Sequence, residues 1–132
     1  MPTGTRREAR ERALALLYEA DSKGLSPSEV LVQLPVAPDE FVIRLVRGVA
    51  THDSQIDELL SRLAREWVLE RMPVVDRSLL RLATYELLFD SETPIAAVIN
   101  EAVELAKIYS TEESGRFVNG ILSAVAAEVR AG

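Results

Sequence analysis

Seven times along this chain, apolar residues recur at the spacing of one helix face, and no segment alternates with the period of two that a half-buried strand requires. Ala9, Ala13, Leu16, Leu17 and Ala20 form the first stripe, which predicts a helix capped by Thr5 and running to about Asp21, before SKGLS breaks it. Ser26 and Glu29 have the spacing of a capping box. Pro27 between them falls at the first helical position, where its missing N–H costs nothing, and a short helix to Leu34 follows. Phe41, Val42, Leu45, Val46 and Val49 mark a third helix, and Ile56, Leu59, Leu60, Leu63 and Trp67 a fourth beyond Asp53. RMPVVD separates these from a fifth helix carrying Leu79, Leu82, Ala83 and Leu87. Thr93-Pro94 opens a sixth, whose face runs through Ile95, Val98, Ile99, Ala102, Leu105, Ala106 and Tyr109, and a seventh starts near Thr111. Amphipathic helices joined by short connections leave an all-α bundle as the architecture the pattern supports. At 132 residues, 48% of them hydrophobic, the chain has the size of one ordinary domain spanning 1–132, with residues 1–5 expected to be flexible.

The seventh helix contains a conflict. Asn119-Gly120 is a strong turn dipeptide, yet Val118, Ile121, Leu122, Val125 and Ala126 around it keep helical spacing. Periodicity favours a continuous helix here and the dipeptide favours a turn.

Charge and composition exclude several classes of function. The absence of cysteine removes disulfides, thiolate metal sites and thiol nucleophiles together. No apolar run approaches the roughly 18 residues of a membrane span, and MPTGTRREARER lacks the apolar core of a signal peptide, so a cytoplasmic protein is the simplest reading. A net charge of −6 argues against diffuse coating of nucleic acid, which needs a diffuse excess of Lys and Arg, but leaves room for a local basic patch.

Catalysis finds little to stand on. The single histidine, His52, falls at the junction of two predicted helices with no second imidazole to join it, and is expected at a helix end or on the surface. Glu112-Glu113 and the pair Glu101 and Glu104 could act as acid and base, but acids in the first turn of a helix are favoured by its macrodipole anyway. No Gly-rich phosphate loop, dinucleotide fingerprint or Walker sequence is present. No enzymatic activity, metal or cofactor is expected.

The informative charges lie at the start. RREARER places four arginines and two glutamates in seven residues, and helical geometry sets Arg6 and Arg10 one turn apart with Arg7 beside them. Read as structure alone, this is a solvated helix end with Arg7 and Glu11 paired across one turn. Arginine at a helix N-terminus nevertheless opposes the macrodipole, and local rules tend to be broken at functional sites.

An arginine-rich first helix running into ALALLYEAD, then VVDRSLLRLATYELL, then VINEAVELAKIYSTEESGRFVNGIL together resemble the NusB family of bacterial transcription antitermination factors, from about Arg6 to Val129. The most specific part is INEAVELAK and FVNGIL separated by a short polar loop. The resemblance implies a seven-helix fold of two small bundles without enzymatic activity. It also implies binding of boxA RNA together with ribosomal protein S10, also called NusE, alongside other Nus factors and RNA polymerase, so that transcription passes terminators, notably on ribosomal RNA operons. On that resemblance, RNA is met by Arg6, Arg7 and Arg10 and by the start of the last helix at Phe117 and Asn119. Guanidiniums would hold phosphates, while bases stack on the ring and present edges to the amide. The S10 face maps onto Tyr18, Glu70, Asp76 and Glu86, where acidic groups suit a basic ribosomal protein. Asn119-Gly120 would then lie inside a helix whose packing stripe overrides the turn preference, with Gly120 leaving room for close approach beside the RNA surface, or only between two helices.

Glu8 and Glu11 interrupt the basic patch, and AAEVRAG carries no basic tail, so RNA affinity without S10 is expected to be weak. Family members differ in whether they form homodimers that cover the RNA surface, and the sequence leaves both states open. Two rival readings remain. One is a helical adaptor without RNA contact. The other is a domain like that fused to the N-terminus of RNA cytosine methyltransferases, although no catalytic domain follows Gly132 here.

Overall fold

The computed structural model describes residues 5–64 and 67–130. Among them are seven α-helices and no strand: α1 Arg6–Lys23, α2 Pro27–Gln33, α3 Glu40–Thr51, α4 Asp53–Ala64, α5 Val74–Phe89, α6 Ile95–Tyr109 and α7 Glu112–Val129. One turn of 3-10 helix, Leu69–Arg71, lies between α4 and α5.

Local chemistry sets the boundaries. Thr5 caps α1 in a complete capping box, its hydroxyl accepting from the Glu8 N–H while the Glu8 carboxylate accepts from the Thr5 N–H. Glu8 is therefore occupied at the cap. The helix continues two residues past the expected end, because Gly24 takes the left-handed conformation (φ 67°) that closes it. Ser26 and Glu29 form the second capping box, with Pro27 first in the helix. Thr111 caps α7 by accepting from the Ser114 N–H. Pro94 stands one position earlier than the sequence implies, as the N-cap of α6. Residues 1–4 of the segment expected to be flexible lie outside the described residues.

Two apolar cores divide the helices. Ala9, Ala13, Leu16 and Leu17 of α1, Val30 of α2 and Val42, Leu45, Val46 and Val49 of α3 enclose the smaller one. The larger gathers α4, the 3-10 turn, α5, α6 and α7 around fully buried Ile56, Leu60, Leu80, Leu105 and Leu122. Helix α5 joins the two, sending Leu79, Leu80, Ala83 and Leu87 into the larger core and Leu82 into the smaller, while Leu14 of α1 crosses the other way. Each such leucine contributes about 1.5–3 kcal/mol through removal from water, so the two bundles are tied chiefly by α1 and α5.

Polar contacts reinforce those ties. Arg77 of α5 grips Asp21 of α1 through two hydrogen bonds of 2.8 and 2.9 Å and donates to the carbonyls of Glu70 and Met72. Arg130 closes the far end of α5 by donating to the Glu86, Leu87, Asp90 and Thr93 carbonyls, satisfying groups a helix C-terminus leaves unpaired.

Three local expectations change. Trp67 does not extend the face of α4, which ends at Ala64; it lies beyond the helix with more than half its surface exposed. RMPVVD is not all connection, since α5 begins at Val74. Asn119-Gly120 does lie inside α7, exposed on its outer face, but a Cβ at Gly120 would meet nothing within 4 Å among the described residues, so no helix packed there accounts for the glycine. Close approaches occur instead at Gly48, where a Cβ would fall 2.2 Å from the Tyr85 ring, and at Gly115 earlier in α7, where it would fall 2.9 Å from the Lys107 side chain of α6.

Candidate nucleic-acid and partner interface

The N-terminal arginines do not form one basic edge. Arg10 lies within the apolar stripe of α1, between Ala9 and Ala13, and that face turns it inward. Its guanidinium meets Glu86 in a bidentate pair, Nε to Oε2 at 3.0 Å and Nη2 to Oε1 at 2.7 Å, with side-chain exposures of 7% and 2%. Burial alone would lower the Arg10 pKa, but the hydrogen bond and charge of Glu86, with the charges of Glu101 and Asp90, outweigh it and raise the value. The residue expected to meet RNA and a residue expected to meet S10 thus hold each other inside the protein.

Arg6 and Arg7 stay outside. Arg6 lays its guanidinium on the Phe41 ring, Cζ 3.8 Å from the centroid, and is exposed. Arg7 does not pair with Glu11; its Nε donates to Glu101 of α6 at 2.8 Å, and that hydrogen bond and charge raise its pKa. Glu11 instead accepts from the Tyr109 hydroxyl, and that hydrogen bond raises the tyrosine pKa.

At the other end of the larger bundle a groove of about 930 Å³ runs between the end of α4, the 3-10 turn, the start of α5 and the first half of α7. Phe117 lies half-buried in its wall, edge-on to Trp67 with centroids 4.7 Å apart and planes at 64°. Arg71 and Arg116, both exposed, line it as well, as does Gly120. Asn119 is exposed on the adjoining face of α7.

The residues expected to meet S10 separate in the same way. Tyr18 is 47% exposed on α1 and Glu70 is exposed on the 3-10 turn. Asp76 is buried in the groove wall, where one carboxylate oxygen accepts from the Ser114 hydroxyl at 2.9 Å and the other has no donor among the described residues. Glu86 belongs to the Arg10 pair.

Sequence reasoning missed Phe41 as the seat of arginines, since its place in the apolar stripe of α3 marked it as core. Besides Arg6, Arg44 lies 5.1 Å and Arg10 5.6 Å from the ring centroid. An arginine three residues after an aromatic on one helix was the available signal. His52 is the C-cap of α3, as its position implied, and stacks on Phe89 with centroids 4.1 Å apart.

The fold and these surfaces define a two-bundle helical protein that presents arginines and aromatic rings at two separate places. The NusB family pattern matches residues 7–127, and the chain belongs to the NusB family. It is 49% identical over 131 residues to the transcription antitermination protein NusB of Acidothermus cellulolyticus, covering 96% of this chain and 89% of that one. NusB of T. maritima superposes with a TM-score of 0.86 at 42% identity, over 97% of this chain and 94% of that one. A chain from the crystal structure of antitermination factors NusB and NusE in complex with dsRNA superposes with a TM-score of 0.78 at 31% identity, over 92% and 95% of the two chains.

Proposed function

We propose that this chain is a non-enzymatic transcription antitermination factor of the cytoplasm that binds boxA-type single-stranded RNA together with ribosomal protein S10 (NusE). In this reading it acts alongside other Nus factors and RNA polymerase, notably on ribosomal RNA operons. The observation that carries the RNA half is Arg6. In a chain of net charge −6, an arginine stands at a helix N-terminus against the macrodipole, exposed and laid on an aromatic ring, with no carboxylate pairing it among the described residues. A guanidinium held flat in this way keeps its N–H edge for a phosphate and its outer face for a base.

The groove supplies the second half of the RNA contact, through Trp67 and Phe117 with Asn119 beside them and Arg116 at its edge. Arg7 contributes by charge next to Arg6. Arg10 supports the surface from beneath, through Phe41 and Glu86. S10 is met by Tyr18 and Glu70, with Asp76 reached through the groove. The likeness to a chain solved with NusE and dsRNA supports a partner-dependent RNA contact of this kind.

The test is binding of boxA-like RNA to the chain alone and to its complex with S10 from the same organism. Tighter binding by the complex, weakened by Arg6→Ala, is expected. A chain that retains S10 yet leaves boxA RNA unbound with or without it would remove the RNA function.

A further inference from the structure

Arg6 and Phe41 open a longer feature. Along α3, Phe41, Arg44, Gly48 and His52 follow one another at turn spacing, so their side chains share one edge of the helix. That edge packs beside the C-terminal end of α5. Gly48 admits the Tyr85 ring, His52 stacks on Phe89, and Tyr85 and Phe89 lie 5.4 Å apart. The result is an unbroken strip from the start of α1 across α3 to the end of α5. It begins with the Arg6–Phe41 stack and ends with the His52–Phe89 stack.

The strip has the chemistry of a nucleic-acid surface. Phe89 is 44% exposed although it is a large apolar ring, and His52 covers one side of it. Arg44 is 55% exposed, and its one carboxylate contact among the described residues, to Asp90, is long at 3.9 Å. Asp90 does not depend on it, because its carboxylate already accepts from the Thr93 hydroxyl and the Glu92 N–H. Arg47 follows one turn later, also exposed. Within α3 the only acid is Glu40 at its start, next to the N-cap Asp39, so Arg44 and Arg47 have no acid beside them on their own helix beyond its first turn, in a chain whose total charge is −6. Guanidiniums alternating with stacked rings are what unpaired bases on a charged backbone require.

We infer that the strip of Arg6, Phe41, Arg44, His52 and Phe89 is a track for single-stranded RNA, which carries the strand from the N-terminal arginines along α3 to the end of α5. Phosphates pass along Arg6 and Arg44, and a base stacks on Phe89. This rests on the RNA-binding reading above and extends it to residues outside α1 and α7.

The experiment titrates salt while measuring binding of the chain with S10 to two unstructured single-stranded RNAs, about 6 and about 20 nucleotides long. Arg44→Ala, Phe89→Ala and Phe89→Trp are compared after each is shown to melt as a folded protein and to retain S10. Arg44→Ala should flatten the log–log salt slope for the longer RNA by about 0.7. Phe89→Ala should weaken the longer RNA by about five- to 150-fold with little change in slope, and Phe89→Trp should restore it. Parental affinity and slope in both Ala variants, while Arg6→Ala still weakens binding, would overturn the track and leave the RNA function standing. Absence of RNA binding by the parent would overturn both. A Phe89→Ala variant that loses S10, or that turns a dimeric parent into a monomer with stronger RNA binding, would assign the strip to a protein partner or a second copy instead.

Discussion

Removing the Arg10 guanidinium would leave the Glu86 carboxylate, with 2% of its side chain exposed, without a counter-charge. Breaking such a pair from one side costs about 3–5 kcal/mol, whereas replacing both partners by apolar groups of similar volume is often neutral. Arg10→Ala should therefore lower chemical-denaturation stability by that amount, and Arg10→Met with Glu86→Leu should recover most of it. An Arg10→Ala protein that unfolds with the parent's midpoint would show that the pair is not closed in solution. Asp21 gives a pH signature. The Arg77 hydrogen bond holds its carboxyl below the usual range; burial opposes this, and the charges of Arg77 and Arg81 add to it. A depressed folded-state pKa contributes stability that is present above the ordinary carboxylate value of about 3.9 and lost as pH falls through the lower folded value. Asp21→Asn should melt below the parent at neutral pH, and the gap should close on acidification beneath that range. A gap independent of pH would count against the linkage. Both buried charges were within reach of the sequence. Arg10 stands at three, four and seven residues before Ala13, Leu14 and Leu17, and Glu86 four after Leu82, so each falls on its helix's core stripe. What the sequence does not carry is the pairing across 76 positions, which only the packing of α1 on α5 creates.

At the scale of elements, two glycines in helices make opposite predictions. Gly48→Ala would drive a methyl group into the Tyr85 ring and, through it, into the His52 and Phe89 stack, so a loss of about 1–3 kcal/mol is expected from overpacking. Gly120→Ala meets nothing within 4 Å among the described residues on the exposed side of α7, and should raise stability by about 0.4–1 kcal/mol through helix propensity and a less flexible unfolded chain. Thermal melts of the two variants read both directions at once, and a destabilising Gly120→Ala would mean that α7 is not continuous there. The seven helices and their caps were legible because hydrophobic spacing, Thr5, Ser26, Thr111 and Pro27 all agree with the fold. Trp67 misled because its spacing from Leu63 repeats a helical turn, although the chain has by then left α4 for the 3-10 turn before Pro73. Which glycine serves packing was not legible, because Gly48 owes its role to an aromatic ring on another helix.

For the whole molecule, Arg6 and Arg7 lie apart from the groove of Trp67 and Phe117, so the two halves of the proposed RNA contact can be tested separately. If Arg6 and Arg7 hold phosphates, as proposed, Arg6→Ala and Arg7→Ala should weaken boxA and unrelated single-stranded RNA alike and flatten the salt slope by about 0.7 per lost phosphate contact. Arg7 also holds Glu101 across α1 and α6, but that pair is 42% and 26% exposed, and exposed pairs contribute about 0–1 kcal/mol, so its loss should barely move the melting curve. In the same proposal the rings would act by stacking. Trp67, the more exposed of the two, should lose about 1–3 kcal/mol of RNA affinity on replacement by Ala, with the slope unchanged and the fold retained. Phe117 packs against the larger core as well as Trp67, so Phe117→Ala should lower both RNA affinity and stability, and Phe117→Leu should keep the stability but not the affinity. Binding by the S10 complex, titrated with salt for each variant beside its melting curve, separates the two contributions. If Trp67→Ala binds with the parent's affinity, the groove is not part of the RNA surface. If the double Arg6 and Arg7 variant keeps the parent's slope, the phosphates are held elsewhere on the protein.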